Sequence, residues 1–190
     1  MAALIKFLKK KHVDSFVDAG VLHMETFAYF RCMEETNPGR GDKFEGADRV
    51  VQTTDFSIFT PDDVPIPFRP GSAELKFDDD DPYTSNVFCM SLLPLGEPLD
   101  DRFHEFGDCA VIITDPFQFV DRVKACLPAS YNGKVEYVPD DFSGELKAFR
   151  KRERYSWQRE WRIVCTSGSG GLMRPTIGSL NDIAKVYSVD

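Results

Sequence analysis

Two apolar runs of strand length, Asn86–Leu93 and Cys109–Thr114, constrain this chain most. Neither run alternates polar with apolar residues, so neither has a face that prefers water. Runs of that kind suit strands covered on both faces, at the centre of a sheet with layers on either side. The segments around them have other periods. Leu4–Leu8 reads as a short strand and Lys9–Ala19 as a helix, with Val13, Phe16 and Val17 at i, i+3 and i+4. Gly20 suits the left-handed position that ends such a helix. Asp115-Pro116 is a helix start, with Asp as N-cap and Pro at the first helical position.

Shorter elements complete the pattern. Strands are expected at 21–24, 49–59, 73–77, 134–138, 161–165 and 183–189, with a short aromatic-rich helix or turn over 27–33. A helix is expected over 141–152, with Phe142, Leu146 and Phe149 on one face. Loops are expected over 37–46 and 166–171. Prolines 61, 65, 67 and 70 make 61–83 an extended, loop-rich insertion. The order mixes strands and helices without a regular βαβ alternation. The expected fold is therefore α+β, with a mixed or antiparallel sheet, whole or split, flanked by a few helices, over a single domain 1–190.

Composition excludes several classes. No apolar run approaches the ~20 residues needed to cross a bilayer, and the opening lacks a signal-peptide pattern, so a cytoplasmic, non-membrane chain is expected. The 5 cysteines are odd in number and widely spaced, as reduced thiols are. No metal site is expected, since the 3 histidines are scattered and no Cys-x-x-Cys occurs. Cys89 lies in an apolar run and reads as inert, although His104 follows it in sequence.

The net charge of −8 argues against nucleic acid binding over the whole surface, but the charge is uneven. Asp78–Asp81 is an unbroken acidic run, read as a solvated tip. Lys147–Arg162 holds seven basic residues against two acidic ones. That segment could meet a nucleotide, a nucleic acid or a protein, or be a solvated helix face.

The densest polar constellation is Tyr155-Ser-Trp-Gln-Arg-Glu-Trp-Arg162, which leads into Ile163-Val164-Cys165. On a strand, Gln158, Glu160 and Arg162 share one face, and Trp157, Arg159 and Trp161 the other. A buried Glu160 needs a partner, and Arg162 is at hand. A structural ion pair at a sheet edge explains the same residues.

Three segments carry a resemblance to uncharacterised bacterial and phage-borne proteins, some linked to abortive infection. They are Gly41-Asp42-Lys43-Phe44-Glu45, Phe88-Cys89-Met90-Ser91 and Tyr155–Arg162, in that order along the chain. The chain also resembles the ADP-ribosyltransferases. These have a basic or His residue on an early strand, a Ser on a middle strand and a Glu-x-Glu or Gln-x-Glu on a late one. Lys6, Ser91 and Gln158-Arg-Glu160 take those places. The resemblance implies Glu160, Gln158 and Ser91 as catalytic residues and NAD as cofactor, bound by Lys6, Arg162 and Tyr155. In that chemistry a carboxylate stabilises the positive charge that grows on the ribose as its glycosidic bond breaks.

Two other readings stay open. Pro61-Asp62 with Glu74-Leu-Lys76 matches the loose pattern of Mg²⁺-dependent nucleases, in which two acids hold the metal and a lysine helps activate water. A non-catalytic phage or defence protein acting through protein contacts needs no special residues.

Overall fold

The computed structural model describes residues 2–33, 41–54, 57–66, 73–78, 84–94, 96–168 and 170–189. The fold is α+β and its sheets are mostly antiparallel. In chain order, β1 (Ala2–Leu8) leads through a 3-10 turn into α1 (Val13–Val17), followed by β2 (Glu25–Thr26) and α2 (Phe27–Met33). Next come β3 (Arg49–Thr53), β4 (Ile58–Phe59), β5 (Pro65–Ile66), β6 (Ala73–Phe77), β7 (Asn86–Pro94) and β8 (Cys109–Ile113). After α3 (Pro116–Cys126) follow β9 (Ser130–Lys134), β10 (Glu136–Val138), β11 (Gly144–Glu145), β12 (Arg150–Arg152), β13 (Glu160–Cys165) and β14 (Ala184–Ser188).

The two apolar runs become β7 and β8, the strands on either side of β1. The main sheet runs β14-β8-β1-β7-β13-β9, with β2 also on β7. Pairing across its centre is antiparallel and in register: Ile5 stands opposite Ser91, and Ser91 opposite Glu160. Strand alternation then sorts the side chains. One face carries Leu4, Leu8, Phe88, Met90, Val111, Ile113, Ile163 and Cys165. It is covered by Phe16 and Val17 of α1, Phe119 and Val123 of α3, and Ile177, Leu180 and Ile183 near the C-terminal end. The opposite face carries Ala3, Ile5, Phe7 and Ala110 under Phe103, with Trp157 and Phe106 packed alongside. Further along that face Val87 and Val164 meet Phe27 and Phe149. Both runs thus lack a wet face for the reason their composition suggests.

Local signals act as the sequence predicts at several joints. Asp115 Oδ1 accepts from the Gln118 amide at 3.0 Å and caps α3, with Pro116 in its first turn. Gly20 has φ 65°, and its backbone lies against Gly178, where a side chain would collide.

A smaller sheet, β11-β3-β6, packs Val50 with Phe44, Ala47 and Leu146. This places 73–77 of the expected insertion in a paired strand, while Pro65–Ile66 pairs with Ile58–Phe59 as a hairpin. Residues 34–40, 67–72 and 79–83 lie outside the described residues, and with them most of the acidic run. Its first member, Asp78, is bound by both outer nitrogens of Arg31 at 2.7 and 2.9 Å.

The helix expected over 141–152 does not form. That stretch holds β11, a 3-10 turn at Lys147–Phe149, and β12, which pairs in parallel with β10. The reason is tertiary. Phe142 and Leu146 pack against Phe44 and Val50, whereas Phe149 packs with Phe27, Val87 and Val164. One helix face cannot serve both clusters. Among the described residues no helix is long and apolar enough to cross a membrane.

Candidate functional site

Gln158 does not lie on the strand with Glu160 and Arg162. It ends a 3-10 turn over Glu153–Gln158, and Arg159 then takes a left-handed backbone, φ 44°, before β13 begins. Non-glycine residues occupy that region only when their surroundings hold them there. The Arg159 carbonyl accepts from the Leu92 amide at 2.8 Å, which docks the turn on β7. Gln158 still reaches Glu160, through a third residue.

That residue is Lys151, from β12. Its ammonium donates to Gln158 Oε1 and Glu160 Oε1, each at 2.8 Å, and lies 3.3 Å from Glu45 Oε2. It also sits 4.6 Å from the centre of the Tyr155 ring. Arg162 donates through Nε to Glu160 Oε2 at 2.6 Å and through Nη1 to the Ala148 carbonyl at 2.6 Å. Arg162 Nη1 is also 2.7 Å from Glu45 Oε1, but that oxygen has no hydrogen-bond partner. Charge holds it there without an aligned N–H. The Tyr137 hydroxyl accepts from the Glu160 amide at 2.8 Å.

All of these charged groups are withdrawn from water. Lys151, Arg162, Asp42, Glu45, Gln158 and Glu160 are buried, and even Glu160, the most accessible, is only 8% exposed. Asp42, Glu45 and Glu160 bring three carboxylates; Lys151 and Arg162 bring two cations. Burial alone would raise the Glu160 pKa, but Arg162 and Lys151 overcome it and hold the carboxyl at about 2. Burial and then the Glu45 charge raise Asp42 to about 6. Burial would lower the Lys151 pKa, yet Glu160 and Glu45 raise it, so the ammonium stays charged. Burial, with Glu160 nearby, pushes the Cys89 thiol up to about 12, which leaves it inert.

The other predicted residues fall into place around this cluster. Ser91 is buried on β7 directly opposite Glu160, and Tyr155 is buried beneath Lys151. Lys6 is not part of the group. It alternates with Leu4 and Leu8 on the other side of the sheet, where its ammonium donates to the Cys89 carbonyl at 2.7 Å and rides over the Phe88 ring. On the face of Ser91 and Glu160 the β1 position is filled by Ile5. A cleft of about 240 Å³ opens on that face, lined by Ile5, Leu93, Leu99, Phe103, Trp157 and Arg159.

The basic segment is not a free basic face. Lys147 pairs with Glu145, Arg150 with Glu136, Arg152 with Glu74, Arg154 with Asp140 and Arg159 with Glu97. Lys151 and Arg162 are interior. The residues of the nuclease pattern are likewise engaged. Glu74 is bound by Arg152 at 2.5 Å and by Gln52, and Lys76 pairs with Asp78, while Asp62 lies in the turn between β4 and β5. Among the described residues no three His, Cys, Asp or Glu side chains are grouped to hold a metal ion.

Lys151, Tyr137, Asp42 and Glu45 are the members that the sequence reading misses. The signal was present for two of them: Asp42 and Glu45 belong to one of the segments that carry the resemblance, and Glu160 to another. The fold brings these segments together at Lys151 and Arg162. Compared with family models, with curated proteins and with solved structures, the chain matches none.

Proposed function

We propose that this chain is a divergent ADP-ribosyltransferase-like domain that binds NAD or a nucleotide of that kind, in a phage or bacterial defence or toxin setting. One observation carries the reading. The early strand, the serine strand and the glutamate strand that the resemblance requires are β1, β7 and β13, three consecutive neighbours, with Ser91 opposite Glu160 on one face. In this reading the ionised Glu160 faces the positive charge that develops on the ribose. Ser91 positions the carboxylate or the sugar, and Gln158 orients the acceptor. Lys6 faces away, so the cations on the glutamate's side are Arg162 and Lys151. The adjoining cleft beside Trp157 gives an apolar wall for a ring.

A second reading, a non-catalytic module working through protein contacts, is favoured by a different observation. Both Glu160 oxygens are already engaged, while Phe59, Val64 and Ile66 of the hairpin are exposed. Calorimetric titration of NAD separates the two. Saturable heat below millimolar NAD, weakened about fivefold by Ser91→Ala through loss of one hydrogen-bonding group, supports the first. No heat at millimolar NAD overturns it and leaves the second.

A further inference from the structure

Residues 41–48 lie as a strap across the ion cluster. The strap is tied to α2 by the Arg31 Nε bond to the Glu45 carbonyl, 2.6 Å, and by the Asp42 amide on the Phe30 carbonyl, 3.3 Å. It is tied to the smaller sheet and its neighbours by Lys147 N to Ala47 O, 2.7 Å, and Leu146 N to Asp48 O, 3.0 Å. Phe44 and Ala47 fill the core of that sheet. Between these ties the strap inserts two carboxylates, Asp42 and Glu45, at the two cations that Glu160 already holds.

We propose that Lys151 and Arg162 form a binding site for a phosphate-bearing ligand, and that Glu45 is the strap's own anion occupying it. Three facts favour a stand-in over a simple structural ion pair. First, charge is in excess: Glu160 alone leaves the two cations one positive charge in surplus, and the strap then brings two negative groups. Second, the fit of the inserted group is poor. Glu45 Oε1 is 97% withdrawn from solvent with its residue, close to Arg162, yet makes no hydrogen bond. A buried acceptor in that state costs free energy that a better-shaped anion would recover. Third, the strain extends to Asp42, whose carboxyl is pushed towards its neutral form by burial and by Glu45. With the strap lifted, one Lys151 hydrogen and the Glu45 side of Arg162 become available, and the remaining site carries a net positive charge beside Glu160. This deepens the ADP-ribosyltransferase-like reading, on which the naming of a dinucleotide pyrophosphate as the ligand rests; the anion site itself stands without it.

The probe is inorganic pyrophosphate, with NAD in parallel, titrated into the full chain and into Glu45→Gln, which keeps the shape and removes the charge. Glu45→Gln is expected to bind pyrophosphate about tenfold more tightly than the parent chain, because the competing anion is gone. Equal or weaker binding by a Glu45→Gln protein that melts as cooperatively as the parent overturns the proposal. Should that variant fail to fold, amide hydrogen exchange on the parent chain decides. Pyrophosphate is expected to speed exchange at the Asp42, Leu146 and Lys147 amides, which tie the strap to its surroundings through the Phe30, Asp48 and Ala47 carbonyls at 3.3, 3.0 and 2.7 Å. Unchanged protection of all three at high pyrophosphate overturns it equally. Pyrophosphate binding without NAD binding keeps the anion site and removes the NAD reading, so the two fail separately.

Discussion

At the scale of single residues, the informative groups are carboxylates with opposite perturbations in one cluster. Glu160 is held at about 2, below its ordinary 4.5, and Asp42 at about 6, above its ordinary 3.8. Their contributions to stability therefore run in opposite senses. The Glu160 contribution is present above about pH 4.5 and is lost as pH falls towards 2. The Asp42 contribution is complete below 3.8 and is lost as pH rises through about 6, where the group must ionise in a buried place against Glu45, with Lys151, the Phe44 amide and Arg162 offsetting only part of the cost. Stability is expected to peak between about pH 3.8 and 4.5 and to fall from there towards 6. Asp42→Asn keeps the acceptor that caps the Phe44 amide at 2.9 Å but cannot ionise. Urea unfolding at about pH 8 should show the variant more stable than the parent by about 2–3 kcal/mol, with the gap closing at about pH 4. A gap that persists unchanged at the lower pH contradicts the assignment.

At the scale of elements, what the sequence disclosed depended on whether the signal was local. The N-cap and proline of α3, the unbroken apolar runs of β7 and β8 and the glycine after α1 all act within a few residues, and all are found where the sequence predicts them. Gly20 gives a direct test. Its φ of 65° and its contact with the Gly178 backbone leave no place for a methyl group. Gly20→Ala should cost about 2–4 kcal/mol, combining the left-handed penalty with the clash, measured as a lower urea midpoint at unchanged slope. Signals that depend on distant partners were not legible. The 3.6-residue spacing of Phe142, Leu146 and Phe149 fits a helix, but two separate clusters claim those rings. Strand alternation correctly pairs Glu160 with Arg162, yet it fails one residue earlier, where Arg159 turns left-handed. The face of Lys6 depends on which neighbours cover β1, and no pattern within Leu4–Leu8 reveals that. Lys151 looked like one more member of a basic run. Only the long-range pairing of β12 with β10, beside the strap, makes it the centre of the site.

At the scale of the whole molecule, internal pairing decides what the charge can do. A chain of net charge −8 approaches polyanions unfavourably unless it offers a concentrated cationic face. In the segment richest in cations, two are buried in the ion cluster and five have carboxylate partners of their own, four of them in pairs at the surface. Binding a phosphate backbone there would require breaking several of those pairs at once, and each broken pair returns an anion to the same surface. Counterion release, the main source of nonspecific affinity for nucleic acid, would gain little. The partner options for this segment therefore narrow, and the narrowing is measurable. Fluorescence anisotropy of labelled single-stranded and duplex DNA and RNA should show no saturable binding between about 50 and 200 mM salt. Binding that falls steeply across that range, with a log–log slope of several, would mean that the ion pairs open on contact and that the segment is a nucleic-acid surface after all. If anisotropy stays flat while pyrophosphate binds the Glu45→Gln variant, phosphate recognition belongs to the interior cation pair and not to the surface. That outcome would fit a small nucleotide entering from the strap side, and it would exclude a polymer laid across the face.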